Sequence, residues 1–246
     1  MPATPAWPPK SLPRLFVPVA LGKGASVALD AGQANYLGNV MRLGPGEHVL
    51  VFNGTSGEWI ARIAEAGRKR MTLAVEDRTR EQEKVPDCWL AFAPVKRAQT
   101  DWLVEKATEL GIARLLPVVT QRTIVQRVKL ERLRSIAIEA AEQCNRTSVP
   151  AIDEPVPLES LLKNLSGRTL CFADEAGGEP VAKAFTPGPA TILTGPEGGF
   201  TDAERVAIRA APGAVGISLG PRILRAETAA LAAVTTFMAL AGDWSA

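Results

Sequence analysis

The stretch Ser218-Leu-Gly-Pro-Arg-Ile-Leu-Arg-Ala-Glu-Thr-Ala229 lies between two apolar segments of different length. An apolar run of strand length, 214–219, leads into it, and a nearly uninterrupted apolar run of helix length follows it. The Gly-Pro pair breaks the backbone between the two. Arg222, Arg225 and Glu227 therefore lie between a predicted buried strand and a predicted buried helix, where charged groups must be paired or functional.

A second turn of the same kind, Leu193-Thr-Gly-Pro-Glu-Gly-Gly-Phe200, precedes the first along the chain. It follows an apolar run and leads into Thr201-Asp-Ala-Glu204, the pattern of a capping box that opens a helix. Each glycine turn is therefore predicted to connect a strand directly to a helix.

Apolar runs and helical stretches alternate throughout the C-terminal two thirds of the chain. Strands are predicted at 88–93, 113–119, 169–173, 190–194 and 214–219, and helices at 100–110, 129–144, 201–211 and 224–240. Such alternation predicts a mostly parallel sheet covered on both faces. Because ligands of these sheets bind outside the carboxyl ends of the strands, the two glycine turns are predicted to share one ligand site.

The N-terminal part has a different pattern. Short alternating runs at 14–19, 47–52, 58–63 and 70–75 are separated by glycine-rich turns, and one helical patch lies among them. This pattern predicts a small β-barrel. A polar segment, 78–86, ends in proline and is interpreted as the linker. The predicted domains are 14–80 and 84–246, preceded by a loose Pro- and Ala-rich tail that lacks a secretory signal.

Composition excludes several classes of protein. The chain has 246 residues, 46% hydrophobic and 22% charged, and no run long enough to span a bilayer is expected. Three scattered cysteines and a single histidine argue against a disulfide framework, a metal site and a histidine-based triad, so no metal is expected and a cytoplasmic location fits. Residues 1–80 contain ten basic and six acidic residues, which slightly favours contact with RNA.

The residues of the glycine turns restrict the chemical class of ligand that the site could bind. The turn 194–200 lacks the Gly-Lys-Ser/Thr ending of a phosphate-binding loop and offers main-chain groups and one carboxylate, without a cation for polyphosphate. These groups suit an adenosine-type ligand without phosphates, and S-adenosylmethionine fits that description. The alternative is that the glycines merely allow tight turns between strands and helices.

Both turns resemble the signature of the RsmE family, bacterial methyltransferases that modify N3 of one uridine in 16S ribosomal RNA of the small ribosomal subunit. Trp102-Leu-Val-Glu-Lys-Ala-Thr-Glu-Leu-Gly-Ile112 and Glu139-Ala-Ala-Glu-Gln-Cys-Asn-Arg146 resemble further motifs of the family, in the same order. The likeness covers about 14–242, whereas 95–100 matches only loosely. It implies a SPOUT-type α/β domain with a deep trefoil knot and a mostly parallel sheet, an N-terminal PUA-like β-barrel that binds RNA, and a homodimer.

The resemblance implies that the two turns hold the cofactor S-adenosylmethionine. The cofactor-binding residues assigned on this basis are Leu193, Thr194, Gly195, Glu197, Gly198, Gly199, Ile217, Leu219, Gly220, Ile223 and Leu224.

Arg225 and Glu227 are the assigned catalytic residues. The guanidinium of Arg225 matches the carbonyl edge of a uracil that has lost its N3 proton. Glu227 is expected to orient Arg225. Alternatively Arg225 pairs with Glu227 only to hold the loop, although Arg222 could also pair with Glu227. Glu227 could be the base, although neighbouring arginines would weaken it, and solvent could also take the proton.

Six residues are candidates for contact with RNA: Arg14, Arg42, Arg122, Gln143, Asn145 and Arg146. Their alternative roles are helix capping and an ordinary solvated surface. For the whole chain, two other functions stay open. The enzyme could methylate a ribose 2′-hydroxyl or another base position, or the protein could be an RNA-binding factor without enzymatic activity.

Overall fold

A computed structural model describes residues 12–67, 70–125 and 127–245, which form two units. The first unit contains the chain up to Glu83 and also the short segment Asn145–Ser148. The second unit contains Lys84–Cys144 and the chain from Val149 onward. The predicted boundaries placed 145–148 with the second domain, and most of the predicted N-terminal tail lies outside the described residues.

The first unit is built on one five-stranded sheet. Its strands are β1 (Arg14–Phe16), β2 (Ser26–Ala28), β3 (His48–Phe52), β4 (Glu58–Ala66) and β5 (Met71–Arg80). Their order is β1-β3-β4-β5-β2, with β1 parallel to β3 and the other pairs antiparallel. Strand β5 runs through Arg80, so the first residues of the predicted linker belong to the sheet.

Alternation of side chains explains this sheet. Met71, Leu73 and Val75 of β5 are buried while the residues between them are half-buried, because successive side chains point to opposite faces. The predicted helical patch forms α1 (Ala31–Asn35) followed by a π-helical turn (Tyr36–Val40). A capping box between Asp30 and Gln33 opens α1.

The second unit has eight strands in one parallel sheet. They are β6 (Cys88–Phe92), β7 (Arg114–Val119), β8 (Ala151–Ile152), β9 (Val156–Pro157), β10 (Thr169–Ala173), β11 (Glu179–Pro180), β12 (Ala190–Thr194) and β13 (Ala214–Ser218). The main order is β11-β13-β10-β12-β6-β7-β8, with β9 beside β7, and every pairing among these described strands is parallel.

Helices cover both faces of this sheet. They are α2 (Arg97–Glu109), α3 (Leu130–Gln143), α4 (Leu158–Lys163), α5 (Val181–Ala184), α6 (Asp202–Ala210) and α7 (Ala226–Leu240), with a 3₁₀ turn at Asp243–Ser245. One core joins the sheet to α2, α3 and α7, and another joins it to α4 and α6. The α/β class with a mostly parallel sheet is thus confirmed. None of the described helices could span a membrane.

Strand alternation separates the two cores. On β12, Ile192 packs with α7 in one core, whereas Leu193 packs with α6 in the other. Both are fully buried, as expected of a parallel strand covered on both sides. The polar turns that follow these strands are therefore left at the sheet edge, where the candidate site lies.

Candidate functional site

Three adjacent strands bring three loops to one edge of the sheet. Strand β10 lies between β12 and β13, and the loops that follow them are 174–178, 195–200 and 219–225. Together these loops enclose a cavity of about 510 Å³. This volume is within the range of small-molecule sites, and its position agrees with the rule that ligands bind beyond the carboxyl ends of parallel strands.

Most of the predicted cofactor-binding residues line this cavity. Those that do are Thr194, Gly195, Glu197, Gly199, Ile217, Leu219, Gly220, Ile223 and Leu224. Leu193 and Gly198 do not. The side chain of Leu193 is fully buried in the core beneath α6, and a Cβ on Gly198 would meet the side chain of Arg122 at 3.3 Å.

Arg122 fixes the loop 195–200 from outside the cavity. Its Nη1 donates to the carbonyl oxygen of Gly198 at 2.6 Å and to that of Phe200 at 3.4 Å. We expected Arg122 to contact RNA phosphate. As placed, its guanidinium binds loop carbonyls instead, so its first role is to hold the wall of the cavity.

Glu204 anchors the other end of this loop. Its Oε2 accepts from the backbone N–H of Thr201, and its Oε1 accepts from the backbone N–H of Gln121 at 2.7 Å. Thr201 completes the capping box by accepting from the Glu204 N–H. The carboxylate is buried, which makes these bonds a firm support for the start of α6.

Three arginines line the cavity, and they differ in their partners. Arg205 forms an ion pair with Glu175. Arg222 and Arg225 are exposed, and among the described residues neither makes an ion pair or a side-chain hydrogen bond. The two guanidinium groups of the loop 219–225 are therefore available to a ligand.

Glu227 does not pair with these arginines. It lies in the first turn of α7, is 9% exposed, and is not among the residues that line the cavity. Within the described part of the chain no ion pair joins it to Arg222 or Arg225, which corrects the expectation that it orients Arg225. A carboxylate in the first turn of a helix is favoured by the helix dipole, and this accounts for its position.

Two of the six candidates for RNA contact are buried in the first unit. Arg14 donates to Glu58 at 2.7 Å and to the carbonyl oxygen of Arg146 at 2.7 Å. Arg146 donates to Glu83 and Ser148 and is 6% exposed. Both guanidinium groups are used in internal hydrogen bonds, so the structure gives them a structural role in place of the expected contact with RNA.

The remaining candidates lie at the surface. Arg42, Gln143 and Asn145 are exposed, and they stay candidates for contact with RNA. Arg42 and Asn145 have positive φ angles of 60° and 63°, which are uncommon for residues other than glycine. The Asn145 carbonyl oxygen accepts a hydrogen bond from Arg80 at 2.8 Å.

The third loop of the site, 174–178, was not predicted. Asp174, Glu175 and Gly177 line the cavity together with Arg205. A signal was present, because two carboxylates and a Gly-Gly pair follow the apolar run 169–173, and the other two glycine-containing turns also follow apolar runs of strand length. No cluster of residues suited to bind a metal ion occurs among the described residues.

Comparison with known proteins identifies the family. The RNA methyltransferase domain matches residues 81–238, and the RNA methyltransferase PUA domain matches 29–76. The ribosomal RNA small subunit methyltransferase E of Rickettsia conorii is 30% identical over 227 residues, covering 90% of this chain and 93% of that protein. The chain belongs to the family of small-subunit ribosomal RNA methyltransferase E. The resemblance inferred from the glycine turns is confirmed.

Solved structures of the family have the same fold. The methyltransferase E of Neisseria gonorrhoeae, bound to S-adenosyl methionine, has a TM-score of 0.87 and 28% identity, covering 95% of this chain and 99% of that one. A methyltransferase of Legionella pneumophila, in complex with the cofactor SAM, has a TM-score of 0.85 and 28% identity, covering 94% and 99%. These likenesses extend over both units of the chain.

Proposed function

We propose that this protein is an S-adenosylmethionine-dependent methyltransferase that modifies N3 of one uridine in 16S ribosomal RNA of the small ribosomal subunit. The observation that carries the proposal is the cavity at the sheet edge, with two unpaired arginines on its wall. Relatives named for methylation of small-subunit ribosomal RNA, and two structures containing S-adenosylmethionine, support it.

The residues of the cavity fit this cofactor. Gly195, Gly199 and Gly220 leave main-chain groups accessible for hydrogen bonds to a base and a ribose. Ile217 and Leu219 supply an apolar surface for the adenine ring. When bound, S-adenosylmethionine supplies a methyl group on a sulfonium centre, which is the electrophile of the reaction.

Arg225 is proposed to meet the uridine. N3 of uracil becomes nucleophilic only after losing its proton, and the negative charge then spreads over O2 and O4. An arginine remains protonated and presents a planar set of donors that matches this carbonyl edge. An exposed guanidinium without an internal partner can turn toward the base and stabilise this charge.

Solvent is proposed to accept the N3 proton. The alternative acceptor is the side chain of Glu227. Burial of Glu227 and its position outside the cavity lining favour solvent. If Arg225 stabilises the uracil anion sufficiently, water is an adequate acceptor.

The test is methylation of small ribosomal subunits that lack the modification, followed by mapping of the methylated nucleotide by mass spectrometry. Replacement of Arg225 by Ala is expected to lower kcat by roughly 100-fold or more, because the charge developing on the base loses its stabiliser. The dissociation constant of S-adenosylmethionine, measured by calorimetry, should change little.

Lys163→Ala is the matched control, because it removes an exposed cation that pairs with Glu159 on α4, away from the cavity. Near-normal turnover by Arg225→Ala would exclude this residue from the mechanism. A methyl group on a ribose 2′-oxygen or at another base position would contradict the proposed reaction.

We further propose that the enzyme is a homodimer and acts in the cytoplasm, where its ribosomal substrate is found. Large apolar side chains exposed on the second unit support self-association. Trp102 is 44% exposed, Ile124 83% and Ile223 92%, and burial of such side chains against a second copy would remove their apolar surface from water.

A further inference from the structure

The loop 174–178 forms the wall of the cavity between the two glycine turns, since β10 lies between β12 and β13. It is short and leads into β11, a two-residue edge strand beside β13. At its start the Asp174 N–H donates to the carbonyl oxygen of Ile217 on β13 at 3.3 Å. Such a segment has little backbone support of its own. Its side chains must therefore provide much of what holds it in place.

Two arginines of α6 hold this loop. Arg209 donates to Oδ2 of Asp174 at 2.5 Å, and Arg205 pairs with Glu175. The arginines are four residues apart, so they lie on the same face of the helix. Both acidic partners are neighbours at the start of the loop, and two successive carboxylates are thereby tied to one helix face.

The pair at Asp174 is largely removed from solvent on the acidic side. The side chain of Asp174 is 1% exposed, and its Oδ1 also accepts from the backbone N–H of Ala176 at 3.0 Å. The Asp174 carbonyl oxygen accepts from the Gly177 N–H at 3.1 Å. A buried carboxylate that loses its counter-charge is strongly destabilised, so removal of Arg209 must disturb this turn.

The pair at Glu175 connects two walls of the cavity. Arg205 also donates to the carbonyl oxygen of Phe200 at 3.2 Å, at the end of the loop 195–200. On the same side, the Glu175 carboxylate packs against Gly199, where an added Cβ would lie 2.8 Å from its Oε1. One guanidinium therefore joins the loop after β10 to the loop after β12.

We propose that Arg205 and Arg209 are positioning residues that act as a clamp, closing the cofactor cavity by holding the loop 174–178 against α6. The inference rests on the proposed function and adds a means of setting cofactor affinity. Arg209 is not among the lining residues, so it acts only through Asp174. Opening the clamp weakens binding of the cofactor and leaves the chemical step at Arg225 unchanged.

The experiment compares Arg205→Gln, Arg209→Gln and wild-type protein with S-adenosylmethionine as the probe. The dissociation constant by calorimetry and the KM for the cofactor should both rise about tenfold in each variant, corresponding to about 1.4 kcal/mol of lost binding free energy, while kcat stays within about twofold. Arg209→Lys should recover part of the affinity, because it keeps the charge opposite Asp174.

Lys163→Gln is the control, since it breaks an exposed ion pair of α4 that is remote from the cavity. Melting temperatures measured without ligand show whether a variant that binds the cofactor weakly is still folded. A dissociation constant unchanged in both arginine variants, or a loss confined to kcat, would overturn the clamp.

Hydrogen exchange provides a readout that needs no ligand. The amides of Ala176 and Gly177 should exchange faster in Arg209→Gln, because their acceptors belong to Asp174. If wild-type protein binds no S-adenosylmethionine, the proposed function fails while this measurement still decides the clamp. If the exchange rates of both amides are unchanged in Arg209→Gln, the clamp is contradicted even if the enzyme proves active.

Discussion

Glu58 forms ion pairs with two arginines of the first unit. It accepts from Arg14 at 2.7 Å and from Arg80 at 3.0 and 3.1 Å, and it is 4% exposed. Burial by itself raises the pKa of Glu58, but the hydrogen bonds and charges of Arg80 and Arg14 outweigh it and hold the pKa below its ordinary value near 4.5.

Replacement of Glu58 by Gln is expected to destabilise the first unit by about 3 kcal/mol, because the buried guanidinium of Arg14 loses its counter-charge. Hydrogen exchange of the amides of β3 and β4 measures this loss locally. Glu65→Gln, at an exposed position of the same strand, is the control and should have little effect.

The ion pairs of Glu58 also predict how the stability of the protein changes with pH. A folded-state pKa below the unfolded value means that Glu58 contributes its full stability above about 4.5 and loses it as pH falls toward the folded pKa. The difference in stability between wild type and Glu58→Gln should therefore shrink on acidification below this value. A difference that stays constant down to about pH 3 would contradict the ionic account.

At the residue scale, local motifs were predictable and distant partners were not. The lining residues Thr194, Gly195 and Gly220 follow from the two glycine turns. Burial of Arg14 could not be predicted, since its partners lie 44 and 132 residues away in sequence. Leu193 belongs to β12 itself, and its side chain packs in the core, so it does not line the cavity as the residues of the turn do.

Strand β11 depends on a close approach between two backbones. A Cβ on Gly178, just before this strand, would lie 2.4 Å from the carbonyl carbon and oxygen of Gly216 and 2.7 Å from the nitrogen of Ile217. No side chain can be accommodated there without moving β11 away from β13.

Gly178→Ala is therefore expected to cost about 1–3 kcal/mol of stability and to weaken binding of the proposed cofactor, because the loop 174–178 ends at this residue. Thermal denaturation and calorimetry would measure the two effects. Gly22→Ala is a suitable control, since a Cβ at Gly22 meets nothing within 4 Å. Equal behaviour of the two variants would refute the steric argument.

Among the elements, those with strong patterns were predicted well. Strands β6, β10 and β12 follow from apolar runs bounded by polar residues, and α6 follows from its capping box. Helix α5 and strand β11 have four and two residues, which is too short for any periodicity to be recognised.

At the scale of the whole molecule, the alternation of strands and helices was sufficient to predict the α/β class with a parallel sheet. The deep trefoil knot could be predicted only from the resemblance to the family, because general rules of chain topology argue against knots. Segment Asn145–Ser148 could not be placed either, since it joins the first unit through long-range hydrogen bonds of Arg14 and Arg80.

The proposed dimer is tested by light scattering in solution, where we expect twice the 26.1 kDa mass of one chain. Trp102→Glu should shift the protein toward the monomer, because it places a charge on an exposed apolar surface of α2. Val40→Glu, an equivalent change on the first unit, is the control. A monomer at all concentrations of wild type would rule out the dimer.

The first unit includes the segment Asn145–Ser148, which is translated long after the rest of that unit, and this affects folding during synthesis on the ribosome. The sheet of this unit ends at Arg80, yet the unit is complete only when Ser148 has been translated. At typical bacterial elongation rates of about 5–20 residues per second, translation from Glu83 to Ser148 takes several seconds. During that interval the carbonyl oxygens of Arg146 and Asn145 are not yet available to Arg14 and Arg80, whereas Glu58, the carboxylate that pairs with both arginines, has already been translated.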